Sequence, residues 1–151
     1  TLTPMGARLL RQWVLAPLTQ VDRIETRLDA VAALASDAMT RATMRAALDG
    51  VRDIERLAAK VAASRITPRE LRALGDSIAR LPDVEMAARR ISGDALQTIL
   101  ESWDACRELS DDIINLLVER PPIALGEDLT IRAGFDGELD ELRHLGCYVE
   151  I

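Results

Sequence analysis

The stretch TPRELRALGDSIARLP, residues 67–82, decides the fold class. Thr67, Pro68 and Glu70 stand at capping-box spacing with a proline in the first turn. The threonine hydroxyl can accept the third N–H of the helix, and the glutamate can return to the cap's own N–H. Leu71, Leu74, Ile78 and Leu81 then recur three and four residues apart, which is one face of a helix. Pro82 closes or restarts it. A helix that starts itself and carries one apolar stripe needs other apolar helices to bury that stripe.

The flanking chain supplies them. Upstream, TPMGARLLRQWVLAPL opens with Thr3 as a cap and Pro4 at the first helical position. Leu9, Leu10, Trp13 and Val14 follow at helical spacing, and Pro17 marks the end. Ile24, Leu28, Val31 and Leu34 form the next stripe. Residues 40–49 read as a helix with Met44 and Leu48 inward and Gly50 as its stop. Ile54, Leu57 and Val61 continue the pattern. Downstream, the spacing predicts one long helix over 94–119. Its seam is Leu96, Ile99, Trp103, Cys106, Ser110, Ile113 and Leu117, a rod of roughly 40 Å with Leu100 and Trp103 in the core. Pro121 and Pro122 force an extended crossing, and Phe135, Leu139, Leu142 and Leu145 restart the helical period. The reading is an all-α bundle of about seven helices, with one extended crossing and at most a short terminal strand in GCYVEI.

Composition agrees. Of 151 residues, 48% are hydrophobic and only 3% aromatic, with alanine and leucine dominant, which favours packed helices over a sheet. The length suits one domain with a real core. No apolar run approaches the ~20 residues of a membrane span, and no signal-peptide pattern is present. Cys106 and Cys147 make neither a disulfide framework nor a metal spacing, so the expected compartment is a reducing cytoplasm. The net charge of −6 argues against a free-standing nucleic-acid binder. The charge is uneven: residues 41–90 balance at +4 and residues 91–151 at −10.

Candidate chemistry is sparse. None of the eight glycines sits in a G-x-x-x-x-G-K-[ST] loop. The single histidine, His144, lies at a charged helix end with no partner nucleophile in view. Asp111 with Asp112, and Asp140 with Glu141, are adjacent in helices; adjacent side chains diverge by about 100° and do not converge on one ligand. Cys106 reads as a buried structural thiol, and Trp13 and Trp103 as core. No catalytic, cofactor-binding or metal-ligating residue is expected, and the chain is not expected to be an enzyme.

Several segments together resemble the core, or lever, domain (domain III) of the MutS family of DNA mismatch repair ATPases. Thr3, Met5, Gly6, Arg8, Leu9, Leu10, Trp13, Pro17 and Leu18 match that family's opening pattern. RLDAVAAL matches its next helix. DIERLAAKVAASRITPRELRALGDSIARLP resembles its Asp-Ile/Leu-Glu-Arg stretch and Pro-Arg-Asp/Glu-Leu helix. PPIALGEDLTIRAGFDGELDELR resembles its Pro-Pro segment, its Ile-Arg-x-Gly-Phe/Tyr-Asp turn and its Glu-Leu-Asp-Glu-Leu-Arg helix. Asp128, Leu129 and Thr130 depart from it, standing where the family usually has glycine.

The resemblance implies a helical connector over residues 1–145 that joins a DNA-gripping clamp to an ATPase. It implies that residues 146–151 are a remnant of a clamp strand, since relatives carry several tens of residues between Leu145 and Gly146. ATP and magnesium, DNA contacts, a homodimer and a role in the DNA damage response are implied for the parent protein, with no membrane association. The family's phosphate loop and its mismatch-reading phenylalanine have no counterpart here. The alternative from a different class is a free-standing helical adaptor without a DNA role.

Overall fold

The computed structural model describes residues 1–91, 94–126 and 128–146. Among them the architecture is all-α, with nine helices and one isolated antiparallel bridge. Local chemistry sets most boundaries. Helix α1 (Pro4–Leu15) begins where the Thr3 hydroxyl accepts the Gly6 N–H at 3.1 Å. Helix α2 spans Val21–Ser36. Asp37 caps α3 (Ala38–Leu48), accepting the N–H groups of Met39 and Thr40 and the Thr40 hydroxyl. The Thr40 hydroxyl first, then the backbone N–H groups, hold the Asp37 carboxyl below the usual range. Gly50, at φ +81°, turns the chain after α3. Asp53 caps α4 (Ile54–Ala62).

The capping box is present as read. Glu70 N–H donates to Thr67 Oγ1 at 3.3 Å, and Glu70 Oε2 accepts the Thr67 N–H at 3.2 Å. It opens α5 (Pro68–Ile78), and Pro82 restarts the chain in the first turn of α6 (Leu81–Ala88). The predicted long rod is not there. The chain forms α7 (Asp94–Glu101), leaves the helix over 102–106, and resumes as α8 (Arg107–Leu116). Asp104 Oδ1 accepts the Cys106 N–H at 2.8 Å, and Cys106 turns left-handed at φ +49°. Such a local side-chain bond competes with helix continuation. The break lets α7 lie on α2 and α6 while α8 lies on α5, partners that one straight rod would not reach together. Cys106 is therefore exposed and not a buried thiol, Trp103 is half-buried, and Leu100 is core as expected.

After α8 the two prolines carry the chain across. Leu117 pairs with Ile131: Val118 N–H donates to Thr130 O at 3.1 Å and Arg132 N–H to Leu116 O at 2.9 Å. Helix α9 (Gly137–Gly146) ends the described chain. The expected strand over 147–151 lies outside the described residues.

Among the described residues the buried aliphatic side chains gather between Val51 and Leu117 and include Leu74, Ile78, Val84, Ile91, Leu100 and Ile113, with Pro121 buried beyond them. The first four helices bury none. The stripes read on α1 and α2 exist but lie open; Trp13, expected in the core, is 40% exposed and Val14 is 72% exposed.

Candidate functional site

The tightest joint is between α5 and α8. Gly75 sits in the middle of α5, and a Cβ there would stand 2.7 Å from Ile113 Cγ2 on α8. Only glycine allows that approach. Beside it, buried Ser110 of α8 donates its hydroxyl to Gly75 O at 3.1 Å. Ser77 does similar work on the other side: its hydroxyl donates to Ala73 O and accepts the Arg52 N–H at 3.1 Å, tying the α3–α4 connection to α5. A small residue and two satisfied hydroxyls thus replace apolar bulk along the packed faces of α5.

From this joint, guanidinium groups reach the crossing segment. Arg72 Nη1 donates to Leu117 O at 3.2 Å and Val118 O at 3.1 Å, while its Nε donates to Asp76 at 2.8 Å. Arg69 Nε donates to Pro121 O at 3.3 Å. These caps matter because the end of α8 and the first proline leave carbonyls without helical donors. Further on, Arg143 of α9 donates to Ile131 O at 3.1 Å and pairs with Asp140 at 2.9 Å. Asp140 also accepts the Gly134 N–H at 2.5 Å; that bond first, with Arg143, holds its carboxyl below the usual range. A continuous polar chain therefore runs from α5, through the crossing, to α9.

A second polar joint holds α1. Arg8 donates to both oxygens of Asp53, at 2.5 and 2.8 Å, and also pairs with Glu55. The Arg8 guanidinium is the main cause of the Asp53 carboxyl falling to about 2. Lys60 pairs with Glu70 and, with the Thr67 N–H, lowers that carboxyl too.

The residues singled out in the sequence do not converge. His144 lies exposed in the last turn of α9. Asp111 and Asp112 are exposed on α8, and Glu141 is exposed beside the structurally engaged Asp140. Among the described residues, no group of three or more His, Cys, Asp or Glu is placed to hold a metal ion, and no helix is long and apolar enough to cross a membrane. An open cleft of about 860 Å³ lies between the start of α1, α4 and α5. It is lined by Pro4, Arg52, Asp53, Arg56 and Lys60 among others, a mixed surface already bridged by ion pairs. Sequence reasoning missed Gly75, Arg72 and Arg143; it placed Ser110 on the inward seam but not its bond to Gly75 O. For Gly75 a signal existed: an isolated glycine inside a strong helical pattern marks a close approach. For Arg72 and Arg143, surface-type residues in helices, none did.

Comparison with known proteins agrees with the resemblance. The family described as MutS domain III matches residues 1–144. The DNA mismatch repair protein MutS of Salinibacter ruber is 43% identical over 143 residues, covering 95% of this chain and 16% of that protein. Those of Solibacter usitatus and Methanosarcina mazei are 40% and 39% identical, each covering 96% of this chain and 17% of the relative. The chain thus spans about a sixth of the length of these curated relatives. With a family match over nearly all its residues and that level of identity, the chain belongs to the MutS family of DNA mismatch repair proteins, as its domain III.

Proposed function

We propose that this chain is the stiff connector of a MutS-type mismatch repair protein. It joins a DNA-gripping clamp beyond α9 to an ATPase domain, so that nucleotide state and DNA grip are coupled. The observation that supports this reading is the unbroken linkage from the Gly75–Ile113 approach through Arg72 and Arg69 to the crossing, and through Arg143 to α9. Coupling requires elements that move as bodies and do not yield locally. A helix pair in which the side chains of one press on the backbone of the other, with its far end tied to carbonyls by guanidinium groups, has that property. ATP and magnesium belong to the parent's ATPase domain in this reading; DNA contacts and the homodimer belong to the parent, and its compartment is the cytoplasm.

The test uses the full-length protein. Arg72→Met and Arg143→Met remove ties without touching the buried joint, and Gly75→Ala strains the joint itself. Expected are near-normal ATP turnover and near-normal DNA binding without nucleotide, with a clear loss of the change in DNA affinity on adding ATP. Folded variants that keep the full ATP-dependent change would overturn the proposal. A parent reading frame with no nucleotide-binding loop would favour the free-standing adaptor.

A further inference from the structure

The break between α7 and α8 is poorly satisfied. Unlike α1, α3, α4 and α5, α8 starts with no side-chain cap. Its backbone ladder begins only where Ser110 N–H donates to Cys106 O at 3.1 Å. Cys106 stands at φ +49°, a region that residues with a Cβ seldom adopt. Trp103 Nε1 is buried with no acceptor in the protein. Two local side-chain bonds hold the break. Asp104 Oδ1 accepts the Cys106 N–H at 2.8 Å. The Ser102 hydroxyl donates to Ile99 O at 3.3 Å, the carbonyl that a continuous helix would give to Trp103 N–H. That N–H turns instead to Leu100 O, also at 3.3 Å. The residues of the break, SWDAC, include no glycine or proline, and the seam positions on either side of it stay in one helical phase.

We propose that residues 94–116 are a two-state element and that the break is its reversible hinge. In the second state α7 leaves α2 and α6 and joins α8 in one helix, a rod of about 35 Å. The amides of Trp103 to Leu109 then find the carbonyls of Ile99 to Ala105, and Cys106 returns to the right-handed region. Against this stands the packing of α7 on α2 and α6. Its apolar hold is narrow: Leu100 is 5% exposed, but its neighbour Ile99 is 55% exposed. Backbone bonding thus favours the joined form and side-chain burial the broken one. Opposed terms of similar size leave a minor state populated, here at a few per cent. The inference goes beyond the connector reading and stands without it, since a free-standing adaptor could carry the same hinge.

Two variants of the full-length protein push the hinge in opposite directions. The double variant Ser102→Ala/Asp104→Ala removes both local bonds and adds helix propensity, a shift of roughly fiftyfold towards the joined helix. Cys106→Gly relieves the left-handed residue and weakens the helix, a shift of roughly tenfold the other way. Amide exchange and hydroxyl-radical labelling read the two sides of the equilibrium. In the double variant the amides of residues 104–109 should exchange about threefold more slowly than in the wild type. The Leu100 side chain should at the same time be modified severalfold faster, because α7 has left its seat. Cys106→Gly should show neither change. Leu74, 5% exposed, should stay protected in both variants and reports that the core is intact. Slower exchange with Leu100 still protected would mean a stiffer loop and no hinge, and would overturn the proposal. So would unchanged or faster exchange over 104–109 in the double variant. These readouts need neither nucleotide nor DNA, so the hinge and the connector reading fail separately.

Discussion

Single atoms decide the tightest joint. At Gly75 there is no room for a methyl group, because both Ile113 Cγ2 and the less mobile Ile113 Cβ stand in its way, at 2.7 and 3.1 Å. Gly75→Ala gains helix propensity yet overpacks the joint, and the overpacking wins. We expect a net destabilisation of about 1–3 kcal/mol, read as a lower urea midpoint with an unchanged slope. The opposite sign would mean that α5 and α8 stand further apart. Arg8 and Asp53 give a pH prediction. The Asp53 carboxyl sits at about 2, below its unfolded value of roughly 3.9, so the stabilisation it carries is present above that unfolded value and lost as pH falls towards 2. Acidification should loosen α1, seen as a change in Trp13 fluorescence in a Trp103→Phe background. In Asp53→Asn the same change should already be present at neutral pH and should not grow between about pH 4 and pH 2.

At the scale of elements, the 94–119 segment shows what a periodic pattern can and cannot say. Ile99 is 55% exposed and Cys106 is exposed, whereas Ser110, Ile113 and Leu117 are buried, so the later seam positions were legible. The break was not, because no glycine or proline announces it. A seven-residue repeat records which residues face inward; it does not record that α7 and α8 face different partners. Cys106 tests the break directly. A non-glycine residue at φ +49° is strained, so Cys106→Gly should stabilise the protein by about 0.5–1 kcal/mol. In an unbroken helix the same change would cost about 1 kcal/mol, so the sign alone decides. Leu100→Ala should cost about 2–5 kcal/mol by either geometry. The capping box and the Pro82 restart were legible because both are chemistry between residues close in sequence. The ties of Arg72 and Arg143 span 45 and 12 residues, and no local rule reports them. The stripes of α1 and α2 were legible as helix faces, but a stripe does not say whether its cover lies within the same domain.

For the whole molecule, charge and motif content set the expectation. Purified residues 1–151 should show no ATP turnover above a blank and should bind duplex DNA more weakly than about 1 µM at physiological salt. The absent phosphate-loop pattern and the net charge of −6 motivate this, and clear turnover or tighter binding would contradict it. The placement of the core has a further consequence, in the hierarchy of opening events. Among the described residues the buried aliphatic side chains lie between Val51 and Leu117, and the first three helices hold none. Amides in α5 and α8 should therefore exchange with deuterium only when the whole domain unfolds, whereas those of α1 and α2 exchange through cheap partial openings. The N-terminal helices form the first foldon to let go. A protease challenging the isolated domain would trim from that end and leave a resistant fragment holding α5 to α8.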